Sequence, residues 1–564
     1  MLTQLCFSYK EWGIKVATID FELFAPYNLE ATLLGDFSDW EPLEMEKGDD
    51  GTFRTQVDLE DGDYLYKFRV RSKSWFLDED AWVDIVDPYA TAVEDSADQN
   101  GILRVRDGKR FLDDYAWQHD DAPLPPDDAL VIYELQVADF SGGENDPDAR
   151  GKFEHVEEKL DYLSELGVNA VELMPVQEYP GDYSWGYNPR YLFAAESSYG
   201  TSEDLKRLID ACHARGIRVI LDMVFNHAES ESPLTQIDHD YWYHHEPKDP
   251  DNTWGPEYNY DKYDEQRGLH PARKFVGEVI RYWVSEYRID GIRFDAAKNI
   301  GDYDVMRWMV QEAKQAAGEK PFFTIAEHIP EVSEIVGQDG PMDGCWHNSF
   351  FHGVTAHLCA QTFELETLKD LLDGKRKGFF GASSLVNYVA SHDHGHLMAV
   401  LADCEIHDEE AFRRAKLGAV LTFTALGVPM LWMGQEFGEY KHKQLEASKI
   451  DWALLENEAN KDLFAFYKGL ALLRKENMAL RTENLEFVQE DPEERVFAFA
   501  RWYDEGAKAL VVVNLSDTHL ADYTISGFSD DGPWHEWLRD YDVEVEGGQV
   551  SLELGPFEAH VFVK

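Results

Sequence analysis

The stretch Arg288-Ile-Asp-Gly-Ile-Arg-Phe-Asp-Ala-Ala-Lys-Asn299 decides how the rest of the chain is read. An apolar, β-branched run passes into a carboxylate, Asp295, two residues after a cation, Arg293. Strand alternation points both side chains to one side, so the guanidinium can hold the carboxylate ionised and in place. The C-terminal end of a strand is where a β/α barrel keeps its chemistry. On this stretch alone, a buried ion pair closing a strand explains the residues as well as catalysis does.

Outward from that run, strand and helix patterns alternate for some three hundred residues. Leu130–Val137, Ala170–Met174, Val219–Phe225, Gly291–Phe294, Phe322–Ala326, Leu385–Val389 and Met430–Met433 read as apolar strands, with a sixth of the series closing near Trp346 and His347. Helical periodicity fills the gaps, as in Ser202–Arg215, Ala272–Tyr287, Asp304–Ala317 and Glu409–Leu426. Such alternation predicts a parallel sheet, and eight repeats predict a (β/α)8 barrel over residues 130–475. A long aromatic loop, 228–269, interrupts it after the third strand; loops of that length are usually functional.

Residues 1–105 read as short strands broken by turns, a β-sandwich, joined to the barrel by a stiff acidic linker over 106–129 containing Pro123, Pro125 and Pro126. Residues 476–564 return to short strands, predicting a C-terminal antiparallel β domain of sandwich type. The chain has 564 residues, 109 acidic against 52 basic, a formal net charge of -57. That field repels phosphate backbones and anionic lipid, so nucleic-acid and membrane partners are excluded as expectations and a neutral substrate is favoured. It also suits a protein kept soluble at high salt. The five cysteines, Cys6, Cys212, Cys345, Cys359 and Cys404, form no CxxC and read as free thiols. With no signal-like N-terminus and no membrane-length apolar stretch, the chain as given reads as cytoplasmic.

Four strand ends carry polar residues of one recurrent kind: Asp222-Met-Val-Phe-Asn-His227, Gly291-Ile-Arg-Phe-Asp-Ala-Ala-Lys298, Ile325-Ala-Glu327 and Val389-Ala-Ser-His-Asp393. One such run is weak evidence; four in order, each closing a predicted barrel strand, are hard to produce by packing needs alone. Together they resemble the conserved runs of the α-amylase superfamily of glycoside hydrolases. Leu173-Met-Pro-Val176, Ser184-Trp-Gly-Tyr187 and Gly427-Val-Pro-Met-Leu-Trp-Met-Gly-Gln-Glu436 add to the likeness. Gly35-Asp-Phe-Ser-Asp-Trp40, Tyr66-Lys-Phe68, Trp75 and Asp87-Pro-Tyr89 resemble the glucan-binding module that precedes branching enzymes and isoamylases. That likeness implies a sugar platform at Trp40, Lys67 and Trp75, although the module's later binding loop is not recognisable in residues 90–100.

Retaining cleavage of a glycosidic bond needs a carboxylate nucleophile and a protonated carboxyl about 5 Å apart. The resemblance implies Asp295 as nucleophile, Glu327 as general acid/base with a raised pKa, and Asp393 as the carboxylate that stabilises the transition state. It implies His227 and His392 on sugar hydroxyls, Tyr187 as the stacking ring and Lys298 on the leaving-side sugar. Arg293 and Asp222 are counted with the substrate-binding residues, Arg293 also keeping Asp295 ionised, and Trp346 and His347 are candidates to shape acceptor subsites. Asn226 stands where many α-amylases ligate a structural Ca2+, with Asp238, Asp240, Glu246, Asp249 and Asp251 as candidate partners, so calcium is left open and no other cofactor is expected. Lys298 favours hydrolysis of α-1,4-glucosidic bonds in starch, glycogen or maltodextrins. Ser391, shared with branching enzymes, keeps glucan transfer as the alternative, since sugar hydroxyl or water can intercept one covalent intermediate. A non-catalytic glucan-binding protein is the second alternative, disfavoured because all three acids are present.

Overall fold

A computed structural model describes residues 16–564 apart from 80, 95–98, 144–148, 249, 251–252 and 505. Eight strands close into a barrel: β1 (Ile132–Leu135), β2 (Ala170–Leu173), β3 (Arg218–Met223), β4 (Gly291–Phe294), β5 (Phe323–Ala326), β6 (Gly344–Trp346), β7 (Leu385–Asn387) and β8 (Val428–Trp432). Every neighbouring pair is parallel, and β8 returns to β1 to shut the sheet. Closure leaves no sheet edge and places all eight C-terminal ends at one mouth.

The strands are shorter than their apolar runs. Phe225, Val389 and Ala390 are fully buried yet lie past the last paired residues of β3 and β7. These runs continue into the packed mouth, where burial persists after the ladder has stopped. The sixth strand is only three residues long, too short for a periodic signal, and its place in the sheet is visible only from its pairings to β5 and β7.

Ahead of the barrel, Ala17–Phe24 pairs antiparallel with Thr52–Leu59, and Ala31–Gly35 with Gly62–Arg71, in two sheets. Phe21, Leu33 and Phe68 fill the space they share. This module sits on the 228–269 loop: Asn28 Nδ2 and the Lys73 amide both donate to Ile237 O, at 2.8 and 2.9 Å, and Ser72 Oγ donates to Gln236 O at 2.6 Å. The loop contains a helix, Pro233–Trp242, and its return is fixed by bridges pairing His227 with Glu257 and Tyr243 with Tyr258.

After the barrel, a six-stranded antiparallel sheet and a two-stranded one form the C-terminal domain. Three of its strands, Leu520–Ser526, Gly532–Glu536 and Tyr541–Val545, escape sequence reading because at most two positions of each are buried, leaving no clear apolar alternation. Among the described residues, no helix is long and apolar enough to cross a membrane.

Candidate active site

Along the barrel interior, side chains change character within two residues of the same strands. Ile132, Ala170 and Ile220 join Phe323, Ile325, Val386, Val428 and Met430 in an apolar plug. One step up, β1, β2 and β3 present Glu134, Glu172 and Asp222, all buried. Charges there need partners, and the central one is Arg293 on β4, which has no solvent exposure.

Arg293 Nη1 lies 2.9 Å from Asp222 and 2.9 Å from Asp295, and Nη2 lies 3.0 Å from Glu327. One guanidinium therefore gathers three carboxylates, a use of its fixed fork that a lysine could not match. The next peptide adds a donor: the Ala296 amide gives a 2.8 Å hydrogen bond to Glu327 Oε2. Ala296 holds φ at 43°, a left-handed conformation that a residue with a Cβ adopts at a cost of order 1 kcal/mol. The turn directs its amide at the acid from β5.

Sharing changes the electrostatics expected from the sequence. Arg293 does not serve Asp295 alone. Burial, with Glu327 next in weight, pushes the Asp295 carboxyl well above its ordinary range, against the pull of Arg293.

The third acid is held differently. His392 Nδ1 meets Glu134 Oε1 at 2.5 Å, and its Nε2 lies 2.9 Å from the Tyr187 hydroxyl and 3.4 Å from Asp393 Oδ2. Burial opposes charging this imidazole, but Asp393 and Glu134 on either side overcome it and push the pKa up to about 9. Burial likewise works against the Asp393 carboxylate, yet His392 and then Lys443 hold it well below the usual range. The Tyr187 hydroxyl also donates to Asp222 Oδ2 at 2.5 Å, so its ring is fixed facing His392, with centroids 5.2 Å apart.

On the other side, Lys298 Nζ donates to Ile329 O, two residues past Glu327, at 3.0 Å. His227 Nε2 meets the Tyr187 carbonyl at 2.9 Å, and burial lowers its pKa to about 4, keeping it neutral. Trp254, 56% exposed, stands 6.0 Å from the His227 ring, and Lys248 Nζ of the same loop donates to Ile300 O at 3.2 Å.

All three candidate acids thus meet at one mouth with Arg293, Tyr187, His227, His392 and Lys298. Asp222 and Arg293 are buried: Asp222 is held by Tyr187 and Arg293, and Arg293 also pairs with Asp295 and Glu327. Trp346 is corrected: it has no exposure, lies beneath Arg293 with the guanidinium 4.3 Å from its ring, and cannot line an acceptor subsite. His347 is also buried, its Nδ1 2.7 Å from Asn387 Oδ1.

Asn226 Oδ1 faces His227 Nδ1 at 2.9 Å, and Asp240 pairs with His245 at 3.0 Å. Among the described residues no group of three or more His, Cys, Asp or Glu is placed to hold a metal ion. Asp249 and Asp251 lie outside the described residues, as does Cys6. In the N-terminal module, the Trp40 amide bonds Gly35 O beside the Gly35–Tyr66 pair, next to Lys67. Trp75 follows the opposite end of that ladder and packs on His239 and His245 of the barrel loop. Both tryptophans are exposed, Trp40 at 40% and Trp75 at 58%.

Sequence reading missed Glu134, Glu172, Trp185, Trp254 and Lys443. Glu134 and Glu172 are single acids inside apolar strand runs, and a carboxylate flanked by Tyr133 and Leu135 was the signal available. Both Glu172 oxygens are buried without a hydrogen-bond partner. Burial, then Glu134 and Asp222, raises its pKa well above the ordinary value.

Comparison with known proteins agrees with this arrangement. Residues 136–461 match the alpha amylase catalytic domain, residues 7–90 the carbohydrate-binding module 48 described as the isoamylase N-terminal domain, and residues 487–561 the alpha amylase C-terminal all-beta domain. The malto-oligosyltrehalose trehalohydrolase of Saccharolobus solfataricus is 26% identical over 83% of this chain and 88% of its own. The pullulanase of Bacillus subtilis is 29% identical over 79% and 68%, and the 1,4-alpha-glucan branching enzyme of Corynebacterium jeikeium 26% over 95% and 78%. In fold, the chain is similar to the crystal structure of Bacillus subtilis pullulanase type I complexed with maltose, with a TM-score of 0.80, 23% identity, and coverage of 98% of this chain and 86% of that one.

Proposed function

This chain belongs to the alpha-amylase family, and from that premise we propose that it hydrolyses α-1,4-glucosidic bonds in starch, glycogen or malto-oligosaccharides by a retaining double displacement. The observation that carries the reading is the convergence of Asp295 and Glu327 on one guanidinium, with Asp393 held separately by His392. Two acids bridged by so short a group favour the close spacing of a retaining pair, about 5 Å, over the wider spacing of an inverting one.

In the first step an Asp295 oxygen bonds to the anomeric carbon as the bond to the leaving oxygen breaks and that oxygen takes the proton from Glu327. In the second, water attacks the same carbon, gives its proton to Glu327 and releases Asp295 as carboxylate. Asp393 and His392 grip hydroxyls of the cleaved glucose, Tyr187 supports its ring, and Lys298 holds the sugar on the leaving side. Positive charge developing at the sugar is met by Asp393, the carboxylate kept most firmly ionised.

Glucan transfer is the second reading, favoured by the branching enzyme's similarity over 95% of this chain. The malto-oligosyltrehalose trehalohydrolase likeness fits the hydrolytic reading with a chain end of different structure. Product analysis on amylose separates them. Hydrolysis yields new reducing ends; falling iodine colour at constant reducing ends, with new 1,6 linkages, would replace it with transfer. Asp295→Asn and Glu327→Gln should each lower turnover roughly 10³-fold or more with unchanged circular dichroism. Near-wild-type turnover in either would remove that residue from its role.

A further inference from the structure

Residues 440–449, which follow β8, fold back across the mouth and are tied down at several points. The His396 amide donates to Lys441 O at 3.3 Å, and the Ser448 amide donates to Asp139 Oδ2 at 2.8 Å, just past β1. At Gly395 the approach is so close that a Cβ would lie 2.8 Å from the Lys443 amide nitrogen, at a φ of +74° that favours glycine. The loop is thus held where it can deliver a side chain, and the one it delivers is Lys443. Its Nζ donates to Asp393 Oδ1 at 3.0 Å and stands 5.2 Å from the centre of the Trp185 ring.

Stability does not explain that contact. The Lys443 side chain is 42% exposed and that of Asp393 30%, and ion pairs this open contribute little to folding. Asp393 already has His392 as a counter-charge. Position explains it better. Asp295 and Glu327 come from β4 and β5, and Lys298 follows β4; Lys443 comes from the loop after β8, on the opposite wall of the closed barrel. A general acid marks the leaving side of a scissile bond, so the wall facing it lies on the non-reducing side.

We propose that Lys443 is a specificity-determining residue that binds the glucosyl unit on the non-reducing side of the one cleaved. Its ammonium donates to hydroxyls of that unit, and the Trp185 ring supports the sugar. A carboxylate accepts at about four lone-pair sites, so Asp393 keeps room for hydroxyls of the cleaved glucose while Lys443 remains within reach. The ammonium therefore bridges two successive sugar units, one through Asp393 and one directly. This inference rests on the glucan reading of the site.

The test separates the two. In a Glu327→Gln background, which stops turnover, maltotetraose binding is measured by titration calorimetry with Lys443 intact, as Lys443→Met and as Lys443→Arg, alongside melting temperatures. Methionine keeps the stem over Trp185 and removes the charged donor; arginine keeps the charge. The expected result is binding about ten-fold weaker in Lys443→Met, the loss of one charge-assisted hydrogen bond, with most of it recovered in Lys443→Arg and melting temperatures unchanged. Binding by Lys443→Met within about two-fold of the parent overturns the inference alone. Weaker binding accompanied by a lower melting temperature in both variants also overturns it, because the loop would then matter only as structure. No maltotetraose binding by the Glu327→Gln parent overturns the glucan reading itself.

Discussion

The lower and upper layers of the barrel interior are built from the same strands and obey opposite rules. Below, Ile132, Ala170, Ile220 and their neighbours are interchangeable in kind, apolar and close-packed, and their contribution is burial. Above, Glu134, Glu172, Asp222 and Arg293 are equally buried, where each unpaired charge would cost several kcal/mol. The upper layer survives because its carboxylates share cations: Arg293 faces Asp222, Asp295 and Glu327, and His392 faces Glu134 and Asp393. Glu172, whose oxygens find no partner, is accommodated as a neutral acid. One layer holds the barrel shut; the other spends stability on a set of poised acids.

That contrast can be broken most forcefully at Arg293. Arg293→Met fits the volume but leaves three carboxylates without their cation, so chemical denaturation should show a loss of about 3–5 kcal/mol, with activity falling too. A loss below about 1 kcal/mol would mean that the upper layer tolerates unpaired charge and that the two layers differ less than the geometry implies.

A second experiment sharpens the account of His392. Its folded pKa, about 9, lies above its ordinary 6.5, so its stabilisation is complete below pH 6.5 and is lost as pH rises through about 9. Activity that depends on the imidazolium should decline over the same alkaline window. Glu134→Gln removes one of the two carboxylates that raise it, so the alkaline limb of kcat/KM should move to lower pH. An unmoved limb would show that Asp393 alone sets the charge on His392.

The smallest effect belongs to the lower layer. Ile220→Val removes one methylene from the plug and should cost about 0.5–1.5 kcal/mol with kcat unchanged. A drop in kcat would show that the plug also positions Asp222, two residues along the same strand.

Reading the sequence located the acids well because each closes an apolar strand, and the local pattern carries that information whatever the strand pairs with. Their roles as a set came only from the four runs read together and the family they resemble. The pairing of Arg293 with Asp295 was legible too, but alternation along β4 reveals only a neighbour two residues away, not the carboxylates that β3 and β5 bring to the same guanidinium. Trp346 went astray because its strand is three residues long, and nothing in Gly344-Cys345-Trp346 tells whether the indole faces the mouth or the plug.

By itself, then, the chain's order of residues determined the class of fold, the flanking β domains, and which carboxylates stand at the barrel mouth, since strand period, turns and terminal charges are local properties. Tertiary structure alone decided which carboxylates share one guanidinium, which aromatic rings are floor and which are wall, and that Lys443 reaches Asp393. Those outcomes depend on closing a tilted barrel that sets His392 against Glu134, 258 residues away in sequence, and no local pattern encodes a contact made by closure.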